Sequence, residues 1–387
     1  MLTTAFTYIA SLFAIAGTLK FLEEQMQWRI FTYLPAIVLL YFVVMLCSTF
    51  GLWERTEDVN NAYRTLKGNL LPAMIFLMLL EADLRKVIQL GPKILFAFFC
   101  AALSIGIAFV MSFALFSSEL PADAWKTFAA LCGSWMGGTG NMAAIQLALD
   151  VPDSSMGYTL LIDSIDYALW VMLLLALVPF AARFNRWTGA DDTILQSVSQ
   201  KLHDKTDTSS INPTTSMLLL LALALVTSAI AQTIAEFLPT TVYFTKTAWT
   251  VLIVTFAGVV CAMTPLAKLP RANEMSTIIL YLIIGLIASR ADFNELTQAP
   301  LYIVMGLVIL ALHGLMMTIF AKLFRFDLFT CGIASLANIG GVASAPILAA
   351  AYSRALIPVG VLMAMLGYII GTGGGMLVGR ILFGISA

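Results

Sequence analysis

Twelve apolar runs, each close to the length of a membrane-crossing helix, constrain this chain more than any other feature. About 20 consecutive apolar residues span the hydrocarbon core as a helix. The runs lie near 4–22, 31–50, 69–83, 92–117, 127–149 and 155–181, then near 215–237, 246–266, 273–290, 300–323, 329–350 and 355–383. A polar stretch at about 182–213, containing DDTILQSVSQKLHDKTDTSS, divides them into two sets. Composition agrees: of 387 residues, 60% are hydrophobic and 11% charged, where soluble domains average about a quarter charged. The net charge of −1 gives no reason to expect a nucleic-acid partner. The opening MLTTAFTYIASLFAIAGTLK has no basic region before its apolar run, so it reads as a first membrane segment and not as a cleaved signal. Cys47, Cys100, Cys132, Cys261 and Cys331 all sit in apolar runs without C-x-x-C spacing. They read as small packing residues, and neither a disulfide nor a zinc site is expected.

The two sets repeat each other. ADLRKVIQ (82–89) returns as ADFNELTQ (291–298), and MGG (136–138) returns as IGG (339–341), in the same order. Internal repeats of this kind mark many secondary transporters. The chain therefore divides into a first membrane repeat at 1–183, a cytoplasmic or exposed polar linker at 184–213, and a second repeat at 214–387. If all twelve runs cross, more than half of the 21 Lys and Arg fall on the side that holds both termini and the linker. The positive-inside rule then places that side in the cytoplasm. Six crossings per half make the repeats parallel, whereas inverted repeats need an odd number.

WMGGTGNMAA (135–144) and NIGGVASAPI (338–347) interrupt two of the runs at mid-length. Glycine costs a helix about 1 kcal/mol relative to alanine, and proline, here Pro346, removes a donor. Broken backbone at membrane depth is tolerated only where it is buried in protein or lines a cavity. Both segments are therefore expected to unwind and leave two half-helices each. Half-helix N-termini attract anions, and half-helix C-termini coordinate cations. Gly137, Gly138, Thr139, Ser134, Asn141, Asn338, Gly340, Gly341, Ser335 and Ser344 gather at the breaks and are candidate binding residues. By contrast Gly371, Gly375 and Gly379 form a G-x-x-x-G ladder that reads as helix packing.

Asp163 and Asp166 lie inside TLLIDSIDYALWVMLLLALV, at a spacing that puts both on one helix face. Acids inside a membrane span mark ion or proton paths, and two carboxylates so close suit proton exchange. His313, in LVILALHGLMM, reads first as a packing residue, as does Trp135. No enzyme is expected. The two acids share one helix and there is no G-x-G-D sequence, so an aspartyl protease is not indicated. No nucleophile elbow with a histidine base is present for a serine type, and no G-x-x-x-x-G-K-[ST] loop for ATP-driven pumping. A channel or a membrane scaffold explains the breaks and acids less well.

LLPAMIFLMLLEADLRKVI, GGTGNMAAIQLAL, LANIGGVASAPILAAA and GVLMAMLGYIIGTGGG together resemble the YjcL-like membrane proteins, a domain-of-unknown-function family, from about residue 30 onward. That family is grouped with the cation:proton antiporter and anion transporter superfamily, which includes bile-acid:sodium and glutamate:sodium symporters. The resemblance implies an all-α polytopic membrane protein of two inverted repeats of five to six helices. It also implies panel and core domains, two discontinuous crossing helices, and a core that moves as an elevator. By position, Gly137, Gly138 and Asn141 fall at the first crossing, and Asn338, Gly340 and Gly341 at the second. Asp163 followed by Ser164 fits the acid of the helix after the first crossing, and Asp166 is an addition.

The expectation is thus an ion-coupled transporter of the bacterial inner (cytoplasmic) membrane, multi-pass, symporting a small organic anion or an amino-acid- or peptide-like solute with sodium or protons. Asp163, Asp166, Asn141 and Asn338 would bind the ion, with sodium at Asp163, Asn141 and Asn338. Ser134, Gly137, Gly138, Thr139, Ser335, Gly340, Gly341 and Ser344 would hold the anionic or zwitterionic solute. The alternative is a cation:proton antiporter without an organic substrate. No cofactor beyond the coupling ion is expected; the lipid bilayer is a partner, and a homodimer is compatible with the chain.

Overall fold

The computed structural model describes residues 1–26, 36–82, 84–190, 212–241, 245–291, 299–353 and 356–386. Among these the protein is helical throughout. Six helices are long and apolar enough to cross a membrane: Ala5–Met26, Pro92–Glu119, Asp153–Thr188, Pro213–Glu236, Ala299–Phe324 and Ile357–Ser386. We number the principal helices α1 (Ala5–Met26), α2 (Ala36–Thr49), α3 (Glu57–Leu80), α4 (Pro92–Phe116), α5 (Ala124–Gly137), α6 (Thr139–Ala148), α7 (Met156–Leu177), α8 (Pro213–Glu236), α9 (Lys246–Ala262), α10 (Ala272–Ala288), α11 (Ala299–Phe324), α12 (Leu328–Ile339), α13 (Gly341–Tyr352) and α14 (Ile357–Ser386). A short helix, Ala181–Thr188, follows α7. Most of the linker, and residues 83 and 292–298 of the duplicated octapeptide, lie outside the described residues.

Each apolar run matches a helix or a helix pair, and the main difference in bounds is at 69–83. There the helix starts a dozen residues earlier, where Thr56 caps α3 by accepting from the Val59 amide at 3.3 Å and Glu57 and Asp58 occupy the first turn. Only its second half, Leu71–Leu80, is continuously buried, so hydropathy registers half a helix.

The two interrupted runs do not cross. A through-going helix would separate Ala129 from Leu149 by about 30 Å at 1.5 Å per residue. Instead both lie against Gly379, and Ile145 packs back onto Gly133. Likewise the rings of Phe329 and Tyr352 are 5.2 Å apart, and Leu348 approaches Gly332. Thus α5–α6 and α12–α13 are helical hairpins, and the expected pair of discontinuous crossing helices is corrected to a pair of re-entrant ones. The turns are made by Gly138 (φ 89°, ψ 173°) and Gly341 (φ 57°). Gly138's backbone region is open essentially to glycine alone.

This changes the path of the chain. Leu2 bridges Trp53, joining the start of α1 to the loop between α2 and α3. Ser289, just after α10, accepts from Ser48 at 2.8 Å. The Trp125 and Phe383 rings, 5.1 Å apart, join the start of α5 to the end of α14. These contacts define a terminus face. At the opposite, linker face the Asn273 amide donates to Glu81 at 2.9 Å, Ser216 donates to the Pro270 carbonyl at 2.7 Å, and Lys322 reaches the Trp187 carbonyl. The termini and the linker therefore lie at opposite faces, not together as twelve crossings would require. The first hairpin enters from the terminus face and the second from the linker face.

The helices sort into two groups by their packing. In one, α8, α9 and α10 pack on α3, with α1 and α2 against α10. In the other, α4, α5, α12 and α13 pack around α14, with α11 against α4 and α7. The glycine ladder of α14 presses on the first hairpin: a Cβ on Gly375 would lie 2.8 Å from the Gly133 nitrogen, and one on Gly371 2.9 Å from the Gly137 Cα. The G-x-x-x-G reading as helix packing holds.

Candidate functional site

The hairpin tips meet. The Gly138 Cα is 4.0 Å from the position a Gly341 Cβ would take. Gly367 of α14 sits against both hairpins, where a Cβ would come within 3.1 Å of the Met136 carbonyl oxygen and 3.2 Å of that of Ala337. Beside the tips lies a cavity of about 210 Å³ between the two helix groups. One wall is formed by Ser134, Gly138, Thr139, Gly140, Asp163, Ser164, Tyr167, Gly340, Gly341 and Tyr368; the other by Ile37, Val38, Met74, Met78, Asn273, Ser276, Thr277 and Leu280. The residues from α2, α3 and α10 all come from the linker-face ends of those helices, so the cavity opens toward that face.

Asp163 is the one charged residue in this lining. Its Oδ1 accepts from the Ser134 hydroxyl and from the Trp135 indole nitrogen, each at 3.0 Å. Trp135 is fully buried and edge-on to Phe109, which fixes the donor. Two donors hold the carboxylate at a set angle on one wall. Around it stand hydroxyls, an amide and the first backbone N–H groups of α6 and α13, which helix geometry leaves without intrahelical partners. Toward the terminus face the two groups are tied together. Lys67 of α3 meets Asp153 Oδ1 at 2.6 Å, Gln146 of α6 donates to the same oxygen at 2.7 Å, and Tyr63 bonds the other oxygen. The Arg290 guanidinium stacks 4.3 Å from the centroid of the Tyr63 ring.

Of the residues expected from sequence, Asp163, Ser134, Gly138, Thr139, Gly340 and Gly341 line the cavity. Gly137, Asn141, Asn338 and Ser344 stand behind it. Asn141 donates to the Gly137 carbonyl at 2.7 Å and accepts from Thr372 at 2.7 Å, stitching the first hairpin to α14. Asn338 donates to the Ala334 carbonyl at 2.8 Å while its Oδ1 is buried without a described partner, and the buried Ser344 hydroxyl lies beside Tyr167. Neither asparagine is among the described lining residues of the cavity. Ser335 lies elsewhere: its hydroxyl bonds His313 Nε2 and Trp170 Nε1, each at 2.8 Å. Asp166 also turns away. It is fully buried against Gly306 of α11, and neither oxygen has a described partner. The i, i+3 spacing spreads the two acids to different neighbours; it is Asp163, Ser164 and Tyr167 that share the cavity face. Tyr167, four residues after Asp163, could have been found from that spacing. Asn273, Ser276, Thr277 and Tyr368 carry no motif.

This is a polytopic helical membrane protein with a transporter-like arrangement of helices. The chain belongs to the family described as protein of unknown function (DUF819), whose model matches residues 10–385. It is 25% identical over 379 residues to the uncharacterized membrane protein YjcL of Bacillus subtilis (strain 168), covering 93% of this chain and 92% of that one.

Proposed function

We propose that this protein is an ion-coupled secondary active transporter of the bacterial inner membrane, moving a small organic anion or an amino-acid- or peptide-like solute with Na+ or H+. The observation that carries this reading is the meeting of two hairpin tips beside Asp163, in a cavity between two helix groups. Transporters place substrate and ion near the midplane, where half-helix ends converge. Each half has five principal helices besides one hairpin, and the hairpins enter from opposite faces, which supports inverted repeats. The group of α1–α3 and α8–α10 would be the panel. The group of α4–α7 and α11–α14 would be the core, sliding past it as an elevator.

Asp163 would take the cation, or the ammonium of a zwitterionic solute. The hydroxyls and the helix N-termini at the tips would take the carboxylate. With no basic side chain among the described lining residues, a solute of more than one negative charge is disfavoured. The antiporter reading, with Asp163 and Asp166 exchanging cation for proton, is the weaker one because Asp166 does not reach the cavity.

The test is thermal unfolding of the detergent-purified protein in sodium, potassium or choline at equal ionic strength, with Asp163→Asn alongside. A ligand that binds only the folded state stabilises by about 2.7 kcal/mol at a hundredfold excess over its Kd. Stabilisation by sodium that Asp163→Asn abolishes is the result expected for sodium coupling. If no cation matters, sodium is not the coupling ion. Proton uptake by proteoliposomes on adding candidate solutes then decides between proton coupling and no transport.

A further inference from the structure

A second cavity, of about 390 Å³, lies away from the hairpin tips, between α7, α11, α12 and the short helix Ala181–Thr188. Its walls are apolar, with Leu174, Leu177, Phe184, Leu310 and Met317 among them. The few polar groups that reach it are already engaged. Behind its wall, His313 contacts the Ser104 hydroxyl through Nδ1 at 2.7 Å and the Ser335 hydroxyl, which does line the cavity, through Nε2 at 2.8 Å. Ser335 in turn accepts from Trp170. Thr318 donates to the Gly314 carbonyl at 2.8 Å. The Trp170 indole N–H and the Thr318 hydroxyl thus donate within the protein, which leaves a polar solute little to bind, whereas an apolar chain needs no such partner.

The cavity opens sideways toward lipid, since two of its lining residues, Leu173 and Phe180, are 47% and 57% exposed. Its end at the linker face is rimmed by positive charge. Arg183 and Arg186 project from the short helix beside the lining residues Phe180 and Phe184, and Arg325 lies in the turn just before Leu328. All three are exposed, and none forms an ion pair with a described carboxylate. Basic groups at the membrane surface beside an apolar crevice match the two ends of one kind of molecule.

We propose that this cavity seats an acyl chain of an anionic phospholipid, whose phosphate rests against Arg183, Arg186 and Arg325. The site is separate from the transport cavity and does not depend on its reading.

The test uses the full chain, delipidated in mild detergent and supplied with phosphatidylglycerol or with phosphatidylcholine of the same chains. Glycerol 3-phosphate serves as a headgroup without a chain. The readouts are lipid retained through gel filtration, measured by mass spectrometry, and the unfolding temperature. Phosphatidylglycerol should be retained over phosphatidylcholine and should raise the unfolding temperature. The preference should disappear in the surface variant Arg183→Gln/Arg186→Gln. Ala311→Trp, which fills the mouth from an exposed position, should lose retention of both lipids while unfolding at the wild-type temperature in detergent alone. Equal retention of the two lipids by the wild type would overturn the proposal. So would unchanged retention in Ala311→Trp, or an equal shift from glycerol 3-phosphate.

Discussion

Two acids three residues apart behave as different chemical objects in this protein. Asp163 sits on a cavity wall with two donors fixing one oxygen. Asp166 is sealed against Gly306 with no described partner, an arrangement that for a bare carboxylate carries a large desolvation cost, relieved only by a proton, a cation or water. Asp166→Asn should therefore fold and keep whatever ligand-linked stabilisation the wild type has, in contrast to Asp163→Asn. Parallel thermal titrations separate them, and a loss of the response in Asp166→Asn would place that acid in the ion path after all. The turn glycine makes a second residue-scale test. Around Gly138 the nearest atom to an added Cβ is a Tyr368 ring carbon at 3.6 Å, so there is room for a methyl group. The conformation is what forbids it, at about 1–3 kcal/mol. Gly138→Ala should lower the unfolding temperature without altering the helices next to it, as measured by denaturation and circular dichroism.

At the scale of elements, the α14 ladder is the counter-example, where space decides. A Cβ on Gly375 would meet the backbone of Gly133 at 2.8 Å, and backbone in a packed hairpin cannot yield cheaply. Overpacking of this kind costs about 1–3 kcal/mol. Gly375→Ala is expected to be the more disruptive of the two alanine variants for hairpin order, visible as faster proteolysis within 124–148. Equal resistance to protease would argue that the ladder is loose. How much of this was legible beforehand follows from what sequence encodes locally. Twelve apolar runs and the two glycine breaks were readable because hydropathy and backbone freedom are properties of a few consecutive residues. That the broken runs turn back was not readable. A break and a reversal use the same glycines, and the choice is made by contacts such as Phe329 with Tyr352 and Ala129 and Leu149 with Gly379. The role of an asparagine at a break is ambiguous for a related reason. Polar residues at a break serve the ligand or the broken backbone, and here Asn141 serves the backbone.

For the whole molecule, reading both hairpins as re-entrant makes the crossings odd in each half and changes which groups share a face. Toward the linker face lie Lys20, Arg85, Lys93, Arg183, Arg186, Lys268, Arg271, Lys322 and Arg325, and toward the other Arg55, Arg64, Lys67, Lys126, Lys246, Arg290 and Arg380; Lys201 and Lys205 of the linker add to the first set. The positive-inside rule then predicts a cytoplasmic linker face, with Met1 and Ser386 toward the other side. A reporter enzyme active only outside the cytoplasm should therefore work when fused after Ser386 and fail when inserted into the linker. The opposite pattern would invert the molecule. On that prediction the far side of the bundle, where Lys67 of α3 pairs with Asp153 in the turn before α7, is the outer face, and the cavity opens inward.

The dependence of the first hairpin on α14 has a temporal side as well. Residues 124–148 leave the ribosome long before Ile357–Ser386, the helix whose glycines they pack against. At about 5–20 residues per second, the re-entrant segment waits roughly ten seconds or more for its partner. Until then its kinked backbone and its buried amides, Asn141 among them, lack the surface that satisfies them. Assembly of this protein is thus a matter of storage: an early, polar-tipped element has to be sheltered, by neighbouring helices or by the insertion machinery, until the last helix arrives to close over it.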